Sequence, residues 1–177
     1  MRAETNIEKL KHFMAALGES TTSPGRIYLT GGASALLYAW RPSTIDIDIK
    51  ASPEPAGLFE AIMRLKDEID VNVELASPDQ FIPEIPGWHE RSIFILRHGQ
   101  LDFHHYDFYS QALAKIERGH ARDLSDVKSM VNLNLIVPSR ILDFFKSIEP
   151  LLIRYPAITP SVFRSSVEAF CSQHSLK

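Results

Sequence analysis

Apolar and polar positions follow two periods along this chain, and the places where the period changes mark its elements. Ile7, Leu10, Met14 and Leu17 recur at helical spacing. Thr5-Asn6-Ile7-Glu8 ahead of them reads as a capping box, with Thr5 bonded to the third backbone N–H of the helix and Glu8 reaching back, and Gly18 offers a stop. Arg26–Thr30 is short and β-prone, Gly31-Gly32 breaks it, and Ala33–Trp40 has helical composition, which makes a strand, a glycine turn and a helix. Thr44–Lys50 alternates Ile45, Ile47 and Ile49 with Asp46, Asp48 and Lys50, the period of two of a strand with one buried face. Pro53 sits where its missing N–H costs a first helical turn nothing, so a helix is expected from Ser52-Pro53 to about Glu68. Asp70–Leu75 alternates as another strand.

Pro78, Pro83, Pro86 and Gly87 make residues 77–88 a surface loop, with Phe81 and Trp88 as its anchors. Ser92–Arg97 and Leu101–Phe108 flank His98-Gly99-Gln100 as the two strands of a hairpin. From Gln111 the pattern is helical throughout, over 111–118, about 122–133, 139–153 and 161–173. Met14, Met63 and Met130 read as core, and Leu142, Phe145, Ile148, Leu152 and Ile153 as one apolar face. Neither a repeat nor a shift of composition interrupts the chain. One domain over residues 1–177 is therefore expected, with a core over about 5–130 and C-terminal helices over about 131–177. The order of elements predicts an α/β (α+β) fold, a sheet packed by helices and extended by a C-terminal helical segment.

The 177 residues, 45% of them apolar, are enough to bury roughly 70% of the unfolded surface. Nineteen Lys and Arg against 22 Asp and Glu leave a net charge of -3, so any nucleic-acid contact must come from a local patch. The longest unbroken apolar run, Ala35–Trp40, is far short of the roughly 18 residues of a membrane helix. With a charged N-terminus, this predicts a cytoplasmic protein without membrane contact. A single cysteine, Cys171, excludes an internal disulfide and a cysteine-rich zinc site.

Chemistry concentrates around Gly31-Gly32 and Asp46-Ile47-Asp48. Glycines between a strand and a helix bring backbone N–H groups against a phosphate, or serve only as a turn. Ser34 adds a hydroxyl to the same phosphate, or caps the helix. Asp46 and Asp48, two apart on a strand, project from one face and repel each other unless a cation lies between them. The alternative is a solvated strand face. Taken together, hard oxygen ligands following a phosphate-binding turn point to Mg²⁺ and a substrate phosphate. A two-metal site normally needs a third carboxylate. Glu74, on the polar face of Val71-Asn72-Val73-Glu74-Leu75, is the first choice, and Asp102, on a face with His104 and Tyr106, is the second.

These residues carry a family resemblance. Leu29-Thr30-Gly31-Gly32-Ala33-Ser34 followed by Arg41-Pro42-Ser43-Thr44-Ile45-Asp46-Ile47-Asp48-Ile49-Lys50 resembles the signature of the nucleotidyltransferase superfamily, the polymerase-beta-like fold. Ala114-Lys115-Ile116-Glu117-Arg118 and Arg122-Asp123-Leu124-Ser125-Asp126-Val127 resemble the third and fourth motifs of the AbiEii abortive-infection toxin group and its small stand-alone bacterial relatives. The likeness covers about residues 27–130. It implies a nucleotidyltransferase-type mixed sheet and a nucleoside-triphosphate and Mg²⁺ site, with Asp46, Asp48 and a third carboxylate as metal ligands. Gly31, Gly32 and Ser34 would lie around the triphosphate, with Lys115 and Arg118 beside it. It further implies transfer of a nucleotide to RNA (tRNA) or protein, and a toxin neutralised by an antitoxin partner.

Lys115, Arg118 and Arg122 form a cationic stripe if their helix is continuous, whereas Gly119 ends it if not. The structural alternative pairs Arg122 with Asp126 and lets Asp123 brace the junction. Five histidines, His89, His98, His104, His105 and His120, lie within 32 residues. His104 and His105 point to opposite strand faces and so do not share an ion; His104 shares a face with Asp102, and the others read as surface residues. The rivals to an enzyme are a catalytically inactive protein of the same fold that binds nucleotide or a protein partner, and an antitoxin-like structural component.

Overall fold

The first helix, α1 (Ile7–Ser20), buries Leu10, Phe13, Met14 and Leu17, the stripe that the spacing predicts. The structure, a computed structural model, describes residues 3–175. Asn6 caps α1 in place of Thr5, its Oδ1 accepting from Lys9 N at 2.9 Å. Thr5 is drawn into an antiparallel bridge, where it and Thr44 exchange backbone hydrogen bonds of 2.7 and 2.9 Å. That tie leaves the capping to its neighbour.

Five strands form one mixed sheet in the order β3-β2-β1-β5-β4. They are β1 (Gly25–Thr30), β2 (Asp46–Ala51), β3 (Asn72–Glu74), β4 (Ile93–His98) and β5 (Leu101–His105). β1 pairs antiparallel with β2 and parallel with β5, β3 lies parallel to β2, and β4 and β5 make the expected hairpin. Ile27, Leu29, Ile47, Ile49, Val73, Leu101 and Phe103 meet the stripe of α1 and Leu58, Ile62 and Leu65 of α3 (Leu58–Glu68) in one apolar core. Burial of that one face accounts for the period of two in β2. Between β1 and β2 lies α2 (Gly31–Leu37).

Several expectations fail for local reasons. Gly18 does not end α1; a Cβ there would stand 2.4 Å from the carbonyl oxygen of His98. Alanine is the better helix former by about 1 kcal/mol. Gly18→Ala is nevertheless expected to destabilise by about 1–3 kcal/mol, because the obstacle is backbone and cannot swing away. A urea melt checks the sign, and a gain in stability would refute the close approach. Pro53 does not start α3, because Ser52 N donates to Arg26 O and Arg26 N to Pro53 O, so the chain stays paired to β1 beyond Ala51. The helix waits for Gly57, its N-cap at φ +81°. Ile45 precedes β2 and is exposed, as is Met63 on the solvent side of α3.

Packing divides the described residues into two compact units: those up to Ser77 with Ser92–Tyr106, and Pro78–Arg91 with those from Asp107 onward. The first is the sheet with α1–α3. The second holds 3-10 turns at Pro78–Gln80 and Glu149–Arg154, and α4 (Trp88–Arg91), α5 (Phe108–Arg118), α6 (Ala121–Asn132), α7 (Pro138–Ile148) and α8 (Pro160–His174). Asp107 caps α5 by accepting from the N–H groups of Tyr109 and Ser110, and Arg91 donates to both its carboxylate oxygens at 2.9 and 3.1 Å. Trp88 is buried as an anchor, whereas Phe81 is exposed. Phe145, Ile148 and Leu152 are buried, but Ile153 is 87% exposed. It lies in a 3-10 turn, where three residues per turn rotate it away from its neighbour Leu152. Among the described residues no helix is long and apolar enough to cross a membrane.

Candidate active site

β2 turns Asp46 and Asp48 to the face away from the core, both half-buried. In register, β3 sets Asn72 opposite Asp46 and the exposed Glu74 opposite Asp48. Two adjacent strands thus carry all three carboxylates of the first reading. Asp102 lies elsewhere. It pairs in register with Arg26, whereas Asp48 pairs with Thr30 at the other end of β1, about 13 Å along the strand. Two hydrogen bonds from Arg97, of 2.6 and 2.8 Å, hold the Asp102 carboxyl below the ordinary range.

Asn72 has a role that the alternation of β3 did not reveal. Its Nδ2 donates to Asp46 Oδ1 at 2.6 Å and lies 3.3 Å from Glu74 Oε1. Among the described residues no three His, Cys, Asp or Glu side chains converge to hold a metal ion. Carboxylate oxygens such as those of Asp46 and Asp48 are the hard donors that suit Mg²⁺.

The glycine pair belongs to the same place. Gly31 opens α2 at φ +55°, and a Cβ there would stand 3.1 Å from Asp48 Oδ2. At Gly32 a Cβ would lie 2.0 Å from Thr44 Oγ1, whose hydroxyl donates to the carbonyl of Asp46. The first glycine thus keeps bare backbone beside a carboxylate, and the second admits the threonine that braces the start of β2.

Ser34 is a correction. It is fully buried, and its hydroxyl donates to Leu29 O at 3.2 Å and lies 2.9 Å from His105 Nδ1. With the hydroxyl proton committed, Ser34 Oγ accepts from the Nδ1–H of a neutral imidazole. The serine ties α2 to β1 and β5 and does not face a phosphate. His105 is likewise no surface residue: it is 5% exposed, and burial, reinforced by His104, pulls its imidazole down to about 4. The unfolded chain takes up that proton below about 6.5. Stability should therefore be complete above that pH and fall by about 3 kcal/mol between pH 6.5 and 4, with no further loss from this group below. Urea melts of the wild type and His105→Gln across that range test this, and equal slopes would refute a buried neutral imidazole.

In the helical unit Gly119, at φ +69°, ends α5, so no continuous cationic stripe forms. Lys115 is buried, with Nζ 2.8 Å from Asp126 Oδ2 and 3.2 Å from Asp123 Oδ1, and Arg118 bonds Asp123 at 2.7 Å. Burial alone would raise the Asp123 carboxyl, but the charges and hydrogen bonds of Lys115 and Arg118 outweigh it and hold it low. Asp126 answers Lys115, across 11 residues, and Arg122 is exposed. Asp123 thus braces the junction of α5 and α6, as one reading of the sequence expects, and the pairing of Asp126 with Lys115 is the part that spacing does not signal.

No curated protein and no solved structure matches the chain. A family model does, from Thr5 to Ser139, and so takes in the whole sheet with its glycine turn and aspartates, together with α5 and α6. Its description, a nucleotidyltransferase of unknown function, agrees with the mixed sheet. With about three quarters of its length matched, this chain belongs to that family of nucleotidyltransferases, DUF6036.

Proposed function

We propose that this protein transfers a nucleoside monophosphate from a nucleoside triphosphate to a hydroxyl of RNA, such as tRNA, or of a protein. The observation that carries the reading is the placing of bare glycine backbone at Gly31 against the carboxylate of Asp48, on the face that Asp46 shares. Asp46 and Asp48 would hold Mg²⁺, which when bound neutralises triphosphate charge and orients the α-phosphate. Gly31 and Gly32 let backbone amides approach the phosphates, since no side chain intervenes. Glu74, exposed beside Asp48, accepts the proton of the attacking hydroxyl. The acceptor oxygen bonds to the α-phosphorus, the α–β phosphoanhydride breaks and pyrophosphate leaves. Lys115 and Arg118 are assigned to holding the helical unit together, because Asp123 and Asp126 meet their charges. A toxin role in the cytoplasm, with an antitoxin as partner, is supported by the likeness to the AbiEii motifs.

The test incubates purified protein with Mg²⁺, each of the four labelled ribonucleoside triphosphates in turn, and total RNA or cell extract, beside Asp46→Ala. Label on a macromolecule with the wild type alone is the expected result and identifies nucleotide and acceptor class together. Nucleotide uptake without label or pyrophosphate release would instead make the protein a binding module. Absence of Mg²⁺-dependent uptake would leave a structural component.

A further inference from the structure

We propose that Thr44 is a positioning residue for nucleotidyl transfer, a spacer that fixes the glycine turn against the start of the aspartate strand. The inference rests on the reading of that turn and strand as the site. β1 ends at Thr30, level with Asp48 of β2, so the residues ahead of Asp48 run on past the end of β1, beside the turn that opens α2. Thr44 is buried there and touches both parts. On one side its hydroxyl donates to the carbonyl oxygen of Asp46 at 3.1 Å. On the other it takes the space that a side chain at residue 32 would need: a Cβ on Gly32 would lie 2.0 Å from Thr44 Oγ1 and 2.6 Å from Thr44 Cβ.

The chain ahead of α1 holds this spacer in place. Thr5 N donates to Thr44 O at 2.7 Å, Thr44 N donates to Thr5 O at 2.9 Å, and Ser43 Oγ donates to Glu4 Oε2 at 2.7 Å. With both its N–H and its carbonyl committed, the backbone of Thr44 does not slide along its neighbour. Thr5 gives up the cap of α1 to Asn6, and its own buried hydroxyl has no hydrogen-bond partner among the described residues. A buried donor left unmatched is unfavourable, so the bridge to Thr44 is kept against a cost. Its use lies in geometry. With phosphates on the turn and the reacting phosphorus beside the aspartates, the spacing of the two elements sets the alignment for attack, and a misplacement of about 1 Å costs about a hundredfold in rate. Thr44 carries no charge to attract a triphosphate, so its effect falls on turnover and not on affinity.

Thr44→Val keeps the branched shape and removes the hydroxyl, whereas Thr44→Ser keeps the hydroxyl. In the reaction with Mg²⁺, labelled ribonucleoside triphosphate and total RNA or cell extract, Thr44→Val should lower kcat by about ten- to a hundredfold, with KM for the triphosphate within about threefold. Thr44→Ser should return kcat to within about threefold of the wild type. Hydrogen exchange followed by mass spectrometry reads the spacing without any substrate. Amides of α2 and of residues 46–48 should exchange faster in Thr44→Val, while those of β5 keep the wild-type rate. If the valine variant does not fold, Thr44→Ala, which adds nothing against Gly32, carries the same expectations. A folded variant with kcat within about twofold of the wild type would make Thr44 a structural residue only and overturn the proposal, as would unaltered exchange in α2 and residues 46–48. No transfer by the wild type would overturn the reading of the site beneath it, and the exchange rates then still decide whether Thr44 couples the turn to the strand.

Discussion

Asp46→Asn and Asp48→Asn are each expected to lower the proposed nucleotidyl transfer by about three orders of magnitude, the equivalent of the several kcal/mol of charge stabilisation that a held cation would supply. Neither should unfold the protein. Both side chains leave the sheet on the face opposite the core, and the apolar contacts of β2 are made by Ile47 and Ile49. An asparagine at 46 still offers a carbonyl oxygen to Asn72 Nδ2, so the 2.6 Å hydrogen bond has a successor. The measurement pairs initial rates of label transfer with thermal melts of the same preparations. Activity within tenfold of wild type in either variant would refute the assignment. A large fall in melting temperature would show that the carboxylate supports the fold.

Lys115→Ala has the reverse signature: a protein that melts much lower, with the loss lying in the fold. The substitution leaves Asp126 with no counter-charge from Lys115 in a buried setting, and leaves Asp123 with Arg118 alone. Breaking a buried ion pair from one side costs about 3–5 kcal/mol, because the remaining carboxylate stays out of water without that counter-charge. For a chain of this length that lowers the melting temperature by about 6–20 °C. Acid acts on the same cluster with a definite sign. The folded-state pKa of Asp123 is depressed, so its stabilisation is present above the ordinary carboxylate range and is lost as pH falls through the folded value. The melting temperature of the wild type should therefore decline more steeply on acidification below about pH 4 than that of the variant. An unchanged melting temperature in Lys115→Ala, with transfer abolished, would return Lys115 to the triphosphate.

Much of the candidate site was legible because β2 and β3 present their polar residues by simple alternation. Asp46 and Asp48 could be placed on one face from spacing alone, and Glu74 preferred over Asp102 from its own strand. What alternation does not report is the neighbour across the strand. Asn72 reads as one more polar position until the register sets it opposite Asp46. Ser34 reads as a phosphate ligand until His105, 71 residues later, is found against its hydroxyl. The error at Met63 has the same origin, since helical spacing marks a residue as apolar but not whether anything packs there.

The residue pattern by itself determined the order of strands and helices, the core face of the sheet and the pairing of a glycine turn with two aspartates. These follow from local periodicity and from the conformations that glycine and proline allow. Tertiary structure alone decided that β3 lies parallel to β2 with Glu74 level with Asp48, that Gly18 is a point of close approach, and that Lys115 is met by Asp123 and Asp126. The reason is physical. A hydrogen bond or ion pair between residues distant in the chain depends on where packing brings their backbones, and no short stretch of sequence carries that information.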